Sequence, residues 1–194
     1  MKLFGAPRCK CSCGGDKQLS CPSARKIILV GNPNVGKSVL FQCLTGQYAT
    51  VSNYPGTTVE VTRGRARIGQ GEFEVVDTPG MYSLIPISEE ERVARNILLE
   101  ERSALVIHVI DAKNIERMLP FTLQLCETGR PLFLVLNMMD ELRDTGDEID
   151  IAALQMELGI PVAAVVATSG EGIDILKERI DQHVNGEVPC HRGP

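Results

Sequence analysis

Gly31-Asn-Pro-Asn-Val-Gly-Lys-Ser38 decides the fold, because it lies between an apolar run and a helical pattern. The run Lys26-Ile-Ile-Leu-Val30 predicts a strand, and Val39-Leu-Phe-Gln-Cys-Leu44 predicts the helix that follows. Strand, glycine-rich loop and helix in this order are what a phosphate-binding loop requires. Its backbone N–H groups can surround a phosphate chain, Lys37 can reach the terminal phosphates, and the Ser38 hydroxyl can bind Mg²⁺. The stretch therefore predicts a nucleotide-binding α/β domain.

A second polar segment, Asp77-Thr-Pro-Gly80, follows the apolar run Phe73-Glu-Val-Val76. Ligands collect at the carboxyl ends of strands in open α/β sheets, so we expect Asp77 beside the phosphate loop. Its carboxylate can hold Mg²⁺, usually through water, and the N–H of Gly80 can meet a γ-phosphate. These residues complete the predicted phosphate and metal site.

Two later segments predict which base is bound. Asn137-Met-Met-Asp140 ends an apolar run, and the Asp140 carboxylate can accept hydrogen bonds from N1–H and the exocyclic amine of guanine. Adenine lacks this donor pair, and an unpaired buried carboxylate is costly enough to reject it by about 10⁴ or more. Ala167-Thr-Ser-Gly170 follows another such run and can offer N–H groups to the guanine carbonyl. The residues predicted to contact nucleotide are Asn32, Pro33, Asn34, Val35, Gly36, Lys37, Ser38, Val39, Asn137, Met138, Asp140, Ala167, Thr168 and Ser169.

The segment 47–58 shows neither a helical nor a strand period and contains Pro55 and Gly56. Loops of this length are commonly either disordered or functional. Its position fits a switch loop in which Thr58 closes over Mg²⁺ and the γ-phosphate and is released after hydrolysis.

With these motifs the chain resembles the TRAFAC-class GTPases, and among them the cytoplasmic G domain of the ferrous-iron transporter B family, FeoB. The resemblance rests on Gly-Asn-Pro-Asn-x-Gly-Lys at 31–37, Gly-x-Thr-Val-Glu at 56–60, Asp-x-Pro-Gly-x-Tyr-Ser-Leu at 77–84 and Asn-Met-Met-Asp at 137–140. It extends from about Arg25 to about Val184. It implies a Ras-like P-loop GTPase that hydrolyses GTP to GDP and phosphate with Mg²⁺.

Site roles follow from the resemblance, position by position. It implies that catalysis involves Lys37, Thr58, Gly80 and Asn34. It implies that Mg²⁺ is held by Ser38, Thr58 and Asp77, and that Asn34 is a candidate K⁺ ligand.

Two methionines depart from the general small-GTPase pattern. Many signalling GTPases carry glutamine after the switch II glycine to orient water, whereas this chain has Met81, whose thioether cannot do so. The resemblance suggests that K⁺ near Asn34 replaces an arginine finger while backbone groups of the switches position the water. Met138 stands where related GTPases usually carry lysine, and FeoB proteins share it. We therefore expect modest guanine affinity and quick exchange.

Alternating strand and helix patterns predict an α/β fold with helices on both faces of a mainly parallel six-stranded sheet. The segments 59–68 and 72–76 look like a hairpin, which gives one antiparallel edge strand. We expect the G domain to cover 25–186, between a Cys-rich segment at 1–24 and a tail at 187–194.

Composition limits the partners. A net charge of −5 gives no support for a nucleic-acid partner. The longest apolar runs fall far below the roughly 20 residues of a membrane helix. The resemblance implies a membrane iron permease domain or another transport component as partner, and a cytoplasmic location at the inner face of the membrane through it. Full FeoB proteins continue past the G domain, so we expect either an excised fragment or a stand-alone G domain. Oligomerisation stays open.

Four cysteines cluster near the start, namely Cys9, Cys11, Cys13 and Cys21. In a cytosolic chain such clustering indicates metal or redox chemistry more readily than disulfides, although the spacing is not that of paired zinc knuckles. A zinc or iron–sulfur site and a tail of free thiols are both open.

Three functions remain. The first is a FeoB-type GTP-hydrolysing switch linked to ferrous-iron uptake. The second is a ribosome- or RNA-associated GTPase of the same superfamily, which a basic appendage would favour. The third is a metal- or redox-sensing nucleotide-binding module, which bound metal would favour.

Overall fold

A computed structural model describes residues 25–46 and 49–185 of the chain. Within these residues the chain forms one sheet of seven strands: β1 Arg25–Val30, β2 Ala49–Asn53, β3 Glu60–Ile68, β4 Gly71–Asp77, β5 Leu105–Asp111, β6 Leu132–Asn137 and β7 Val162–Ala164. The α-helices in the same residues are α1 Lys37–Thr45, α2 Glu89–Glu100, α3 Ile115–Glu127, α4 Met139–Thr145, α5 Ile151–Leu158 and α6 Ile173–Val184, and a short 3₁₀ helix spans Ala112–Asn114. None of them is long and apolar enough to cross a bilayer.

The strands lie in the order β2-β3-β4-β1-β5-β6-β7. The five strands β4, β1, β5, β6 and β7 are parallel to one another, whereas β3 runs antiparallel to both β2 and β4. The α/β class and the β3–β4 hairpin are therefore confirmed. The six-strand count is wrong, because the chain adds β2 at the edge. The antiparallel strand is β3, as expected, but it lies inside β2 and not at the edge of the sheet.

Strand β2 comes from the segment that was predicted to have no strand period. All five of its side chains are exposed, so no alternation of buried and exposed residues appears in its sequence. It is held by pairing with β3, in a register from Ala49 opposite Gly64 to Asn53 opposite Glu60. Backbone pairing, which single-residue patterns do not report, decides this element.

The core lies on both faces of the sheet. In β1, Ile27 and Leu29 pack on the face covered by α1 and α6, whereas Ile28 and Val30 pack on the face covered by α2 and α3. Strands β5 and β6 are buried along their whole length, which explains their continuous apolar runs. The carboxyl ends of β1, β4, β5 and β6 therefore meet at one edge, where the polar loops emerge.

Two fully buried polar side chains, His108 and Thr122, meet inside this core. His108 on β5 is fully buried, and its Nδ1 is 3.1 Å from Thr122 Oγ1 on α3. Its ring packs edge-on against Phe121 with 4.8 Å between centroids. Burial, with a smaller contribution from the charge of Lys37, lowers the pKa of His108 to about 3. The imidazole is therefore neutral in the folded chain at ordinary pH.

Candidate nucleotide-binding site

The phosphate loop is packed against the sheet with no room for side chains at two glycines. Gly31 has a φ of 149°, and a Cβ there would lie 2.2 Å from the carbonyl oxygen of Val109. Gly36 has a φ of 81°, and a Cβ would lie 2.3 Å from Asn137 Nδ2. Both positions therefore require glycine for space as well as for backbone conformation.

Asn34 lies exposed at the tip of this loop with a φ of 65°. Asparagine is among the few non-glycine residues that adopt the left-handed region readily. Its backbone conformation is therefore one reason for asparagine here, independent of any cation that the side chain binds. A test of the K⁺ role has to separate the effect of the backbone conformation of Asn34 from the effect of its side chain on the cation.

Lys37 points into the loop rather than into solvent. The residue is 7% exposed, and its Nζ donates to the carbonyl oxygen of Asn32 at 3.1 Å. Burial lowers the pKa of the Lys37 ammonium, and the charge of Asp77 opposes that shift. An ammonium group with two further donors in a partly dry loop is suited to hold phosphate oxygens.

Asp77 and Ser38 meet across the loop. The Ser38 hydroxyl donates to Asp77 Oδ2 at 2.7 Å. The other carboxylate oxygen, Oδ1, is buried and has no hydrogen-bond partner among the described residues. Burial raises the pKa of Asp77, while the Ser38 hydrogen bond and Lys37 lower it. A carboxylate with an unused acceptor beside a hydroxyl is an oxygen donor set of the kind that Mg²⁺ prefers, so these residues fit that ion.

The segment after Asp77 turns directly over the phosphate loop. Thr78 is anchored by its hydroxyl, which donates to the Leu29 carbonyl oxygen at 2.7 Å. A Cβ on Gly80 would lie 2.6 Å from Pro33 Cγ and 2.8 Å from Pro33 N. The next residue, Met81, is fully buried. Gly80 thus faces the phosphate loop while Met81 points into the core.

Asn137 joins the base end of the site to the phosphate end. It is 3% exposed, its Nδ2 donates to the Val35 carbonyl oxygen at 2.9 Å, and its Oδ1 accepts from the Ala167 N–H at 3.0 Å. One amide therefore braces two loops, a role that the sequence analysis did not assign. A primary amide directly after a buried strand, with both donor and acceptor, was the available signal.

The remaining base residues lie around this brace. Asp140 is exposed in the first turn of α4, and Met138, which precedes that helix, has a φ of 60°. Thr168 and Ser169 are exposed just beyond Ala167. Helix α4 itself was not predicted, since its seven residues are too few to show a period.

Contacts thus group the predicted residues into four sets: Lys37 with Asn32, Ser38 with Asp77, Gly80 with Pro33, and Val35 with Asn137 and Ala167. Thr58 is exposed, and its hydroxyl makes no hydrogen bond to the described part of the chain. The four clustered cysteines, Cys9, Cys11, Cys13 and Cys21, lie outside the described residues. Between 25 and 185, gap aside, no group of three or more His, Cys, Asp and Glu side chains could hold a metal ion.

Comparison with known proteins identifies the fold and the motifs together. The family model described as "Ferrous iron transport protein B" matches residues 25–180. The Fe(2+) transporter FeoB of Salmonella typhimurium is 43% identical over 159 residues, which are 80% of this chain and 21% of that protein. An Fe(2+) transport protein A/Fe(2+) transporter FeoB fusion protein of Porphyromonas gingivalis is 45% identical over 149 residues, 76% of this chain and 18% of that protein. The chain therefore spans about a fifth of the length of these relatives.

Solved structures agree. The cytosolic domain of T. maritima FeoB in a GDP form has a TM-score of 0.83 at 38% identity, covering 89% of this chain and 68% of that chain. The FeoB G-domain from Methanococcus jannaschii has a TM-score of 0.73 at 40% identity, covering 84% of this chain and 98% of that one. Because the family model matches most of its length, the chain belongs to the ferrous iron transport protein B family, with the Ras-like P-loop G-domain fold of that family.

Proposed function

We propose that this chain binds guanine nucleotide and hydrolyses GTP to GDP and phosphate, as a switch linked to ferrous-iron transport. The observation that carries the proposal is the pairing of Ser38 with Asp77, beside the buried ammonium of Lys37 and with one Asp77 oxygen still available. The T. maritima relative has been solved in GDP and GMPPNP forms, which supports the choice of nucleotide.

The phosphate end would work through groups that are already in place. The N–H groups of the loop and Lys37 hold the phosphate oxygens, and the N–H of Gly80 is available to the γ-phosphate. Ser38 and Asp77 would hold Mg²⁺, together with Thr58 once its loop closes. When bound, Mg²⁺ would neutralise charge that develops on the phosphate oxygens during transfer.

Thr58 would take part by closing over Mg²⁺ and the γ-phosphate. It follows a turn in which the Thr57 N–H donates to the Tyr54 carbonyl oxygen at 3.0 Å and the Tyr54 N–H donates to the Val59 carbonyl oxygen at 2.8 Å. The flanks of the loop are therefore fixed while the Thr58 side chain remains exposed. Closure would be a local change that GTP favours and GDP releases.

The base end selects guanine. Asp140 would accept the two donor groups of the base, while Asn137 holds the loop that carries Ala167, Thr168 and Ser169 against the phosphate loop. Met138 would contact the base by its apolar side chain only. A charged acceptor in this position discriminates against adenine, which offers no matching donors.

The wider role rests on the relatives, which are iron transporters. We propose a membrane permease domain or another transport component as the partner, action at the cytoplasmic face of the membrane, and no nucleic-acid partner. The limits 25–186 for the G domain and a soft-metal site, with zinc or an iron–sulfur cluster, at Cys9, Cys11, Cys13 and Cys21 remain predictions.

The deciding experiment measures GTP hydrolysis by the chain with Mg²⁺, in KCl and in NaCl at equal ionic strength. We expect a faster rate in KCl, because K⁺ at Asn34 would supply the positive charge that an arginine finger supplies elsewhere. The variant Asn34→Gly removes the side chain without straining the left-handed backbone, so it should lose the gain in KCl while keeping GDP affinity.

Asn34→Ala is the matched comparison, because it adds backbone strain to the same loss. A gain in KCl that Asn34→Gly retains would contradict the K⁺ role of Asn34. Equal rates of the wild-type chain in both salts would contradict potassium stimulation altogether. A chain that binds GDP but does not hydrolyse GTP would contradict the enzymatic proposal.

A further inference from the structure

One side chain on α3 holds the loop that follows Gly80. The backbone N–H of Leu84 donates to Gln124 Oε1 at 2.9 Å, and both residues are half-buried. On α3, Gln124 lies beside Phe121 and Leu125, which are buried in the same apolar cluster as Met81. The acceptor therefore projects from a helix that packing has already fixed.

The loop is anchored at both of its ends. The Met81 N–H donates to the Gly31 carbonyl oxygen at 3.0 Å, and the Ile87 N–H donates to Glu91 Oε2 at 2.7 Å on α2. Between these points, Ser83 and Ile85 bond only to each other in the part of the chain that the structure describes. The hydrogen bond to Gln124 is thus the one in the described residues that joins 82–86 to another element.

Exposure of the loop shows why this contact matters. Ile85 is 77% exposed, and Tyr82 also lies largely in solvent. Little burial therefore restrains the middle of the loop, apart from the half-buried Leu84. A segment with few buried contacts opens easily unless a specific hydrogen bond holds it.

We propose that Gln124 is a positioning residue for GTP hydrolysis, which holds the 82–86 loop and through it keeps the Gly80 N–H aimed at the γ-phosphate. This role rests on the hydrolysis proposed above. Only Met81 separates Gly80 from the 82–86 loop, and a Cβ on Gly80 would lie 2.6 Å from Pro33 Cγ, so a loop shift that reaches Gly80 through Met81 changes the fit of Gly80 over the phosphate loop. Donors aimed in advance at developing charge are what such a site contributes to the rate.

The chemistry of the acceptor separates this role from simple packing. Gln124→Leu keeps an apolar side chain of similar reach and removes the acceptor, whereas Gln124→Glu keeps an oxygen that can accept from the Leu84 N–H. Gln182→Leu on α6 is the matched control, since Gln182 bonds only weakly to Glu178 at 3.4 Å. The three variants and the wild-type full chain are compared.

Single-turnover hydrolysis of GTP, GDP affinity and amide exchange in 82–86 are measured with Mg²⁺ in KCl. Loss of one hydrogen bond should slow hydrolysis by Gln124→Leu about fivefold to tenfold. GDP affinity should stay within about twofold, because Gln124 bonds to Leu84 and to none of the predicted phosphate or base residues in the described chain, and the loop amides should exchange faster. Gln124→Glu should recover most of the rate, and Gln182→Leu should match the wild type.

Three results would overturn the role of Gln124. One is a Gln124→Leu chain that hydrolyses GTP at the wild-type rate. Another is a Gln124→Glu chain as slow as Gln124→Leu, which would show that the acceptor is irrelevant. The third is unchanged amide exchange in the loop of Gln124→Leu. A wild-type chain that binds GDP and does not hydrolyse GTP is a separate failure, since it would refute the proposed function itself.

Discussion

Gly36 and Gly46 lie at the two ends of α1 and both have a positive φ, at 81° and 70°, although only Gly36 is in the left-handed helical region. Their surroundings differ, because a Cβ on Gly36 would collide with Asn137, whereas a Cβ on Gly46 would meet nothing within 4 Å. We expect Gly36→Ala to weaken GDP binding by more than about tenfold, since its Cβ would displace the Asn137 amide that holds the loops of Val35 and Ala167 together. Gly46→Ala should lower the free energy of unfolding by about 1–3 kcal/mol through backbone strain alone and leave GDP binding intact.

The measurements are GDP titration calorimetry and urea unfolding on both variants. If both variants lose GDP affinity equally, backbone strain in α1 rather than the contact with Asn137 explains the effect.

At this residue scale the sequence predicted part of the site well. Lys37, Ser38 and Asp77 were expected together and do lie together, because the carboxyl ends of β1 and β4 are adjacent in a parallel sheet. The bracing role of Asn137 was missed, since its partners Val35 and Ala167 are distant in sequence and only the folded chain brings them near. The spacing of a motif predicts which residue types lie near the ligand, but it does not predict contacts between distant segments.

At the scale of elements, His108 connects β5 with α3 through Thr122 and Phe121. The pKa of His108 is about 3 in the folded chain, below the usual value of about 6.5 in an unfolded chain. The unfolded state therefore binds the extra proton between these values. The stabilising effect of the neutral ring is present above about pH 6.5 and is lost as the pH falls toward 3, with a slope of up to about 1.4 kcal/mol per pH unit.

Urea unfolding between pH 4 and pH 7 tests this expectation. His108→Gln should remove about one proton from the pH slope, because it keeps a polar side chain and cannot titrate. His183 is the control, since burial lowers its pKa too but the residue is only half-buried. His183→Gln should remove a smaller part of the slope. A difference between His108→Gln and the wild type that does not vary with pH would rule out the titration of His108.

Elements were predictable where side chains bury in a periodic way. Five helices and six strands with such patterns were expected within a few residues of their observed bounds, including α3, which continues past Pro120. Strand β2 and helix α4 were missed for physical reasons. The first has no buried face, and the second follows Met138, whose left-handed backbone no propensity indicates.

At the scale of the whole molecule, guanine nucleotide should stabilise the fold. At one hundred times its dissociation constant, GDP should add about 2.7 kcal/mol to the free energy of unfolding, whereas ADP should add nothing measurable. Asp140→Asn replaces one of the two acceptor oxygens by a donor, so most of the GDP effect should be lost. Asp144→Asn, on the exposed face of the same helix, is the control and should keep it.

Thermal unfolding with each nucleotide gives the answer. Equal stabilisation by ADP and GDP, or an unchanged GDP effect in Asp140→Asn, would contradict guanine selection through Asp140.

The architecture of the whole molecule followed from the order of its motifs. A strand, a phosphate loop and three further polar strand ends predicted an α/β G domain, and the sheet and the family match confirm it. The position of β2 at the edge could not be predicted, because it depends on the side of β3 that β4 leaves unpaired. The closed position of Thr58 stays a prediction for a related reason, since it depends on a ligand.

The burial of Met81 also limits which substitutions evolution can accept at this position. Its side chain is fully buried among residues of α2 and α3. The substitution Met81→Gln would place a polar amide in that core, where a group without partners is strongly unfavourable. A mutational path toward a glutamine that orients water therefore begins with a loss of stability. Selection for stable folding would oppose this path even though the chemistry of hydrolysis could use the glutamine.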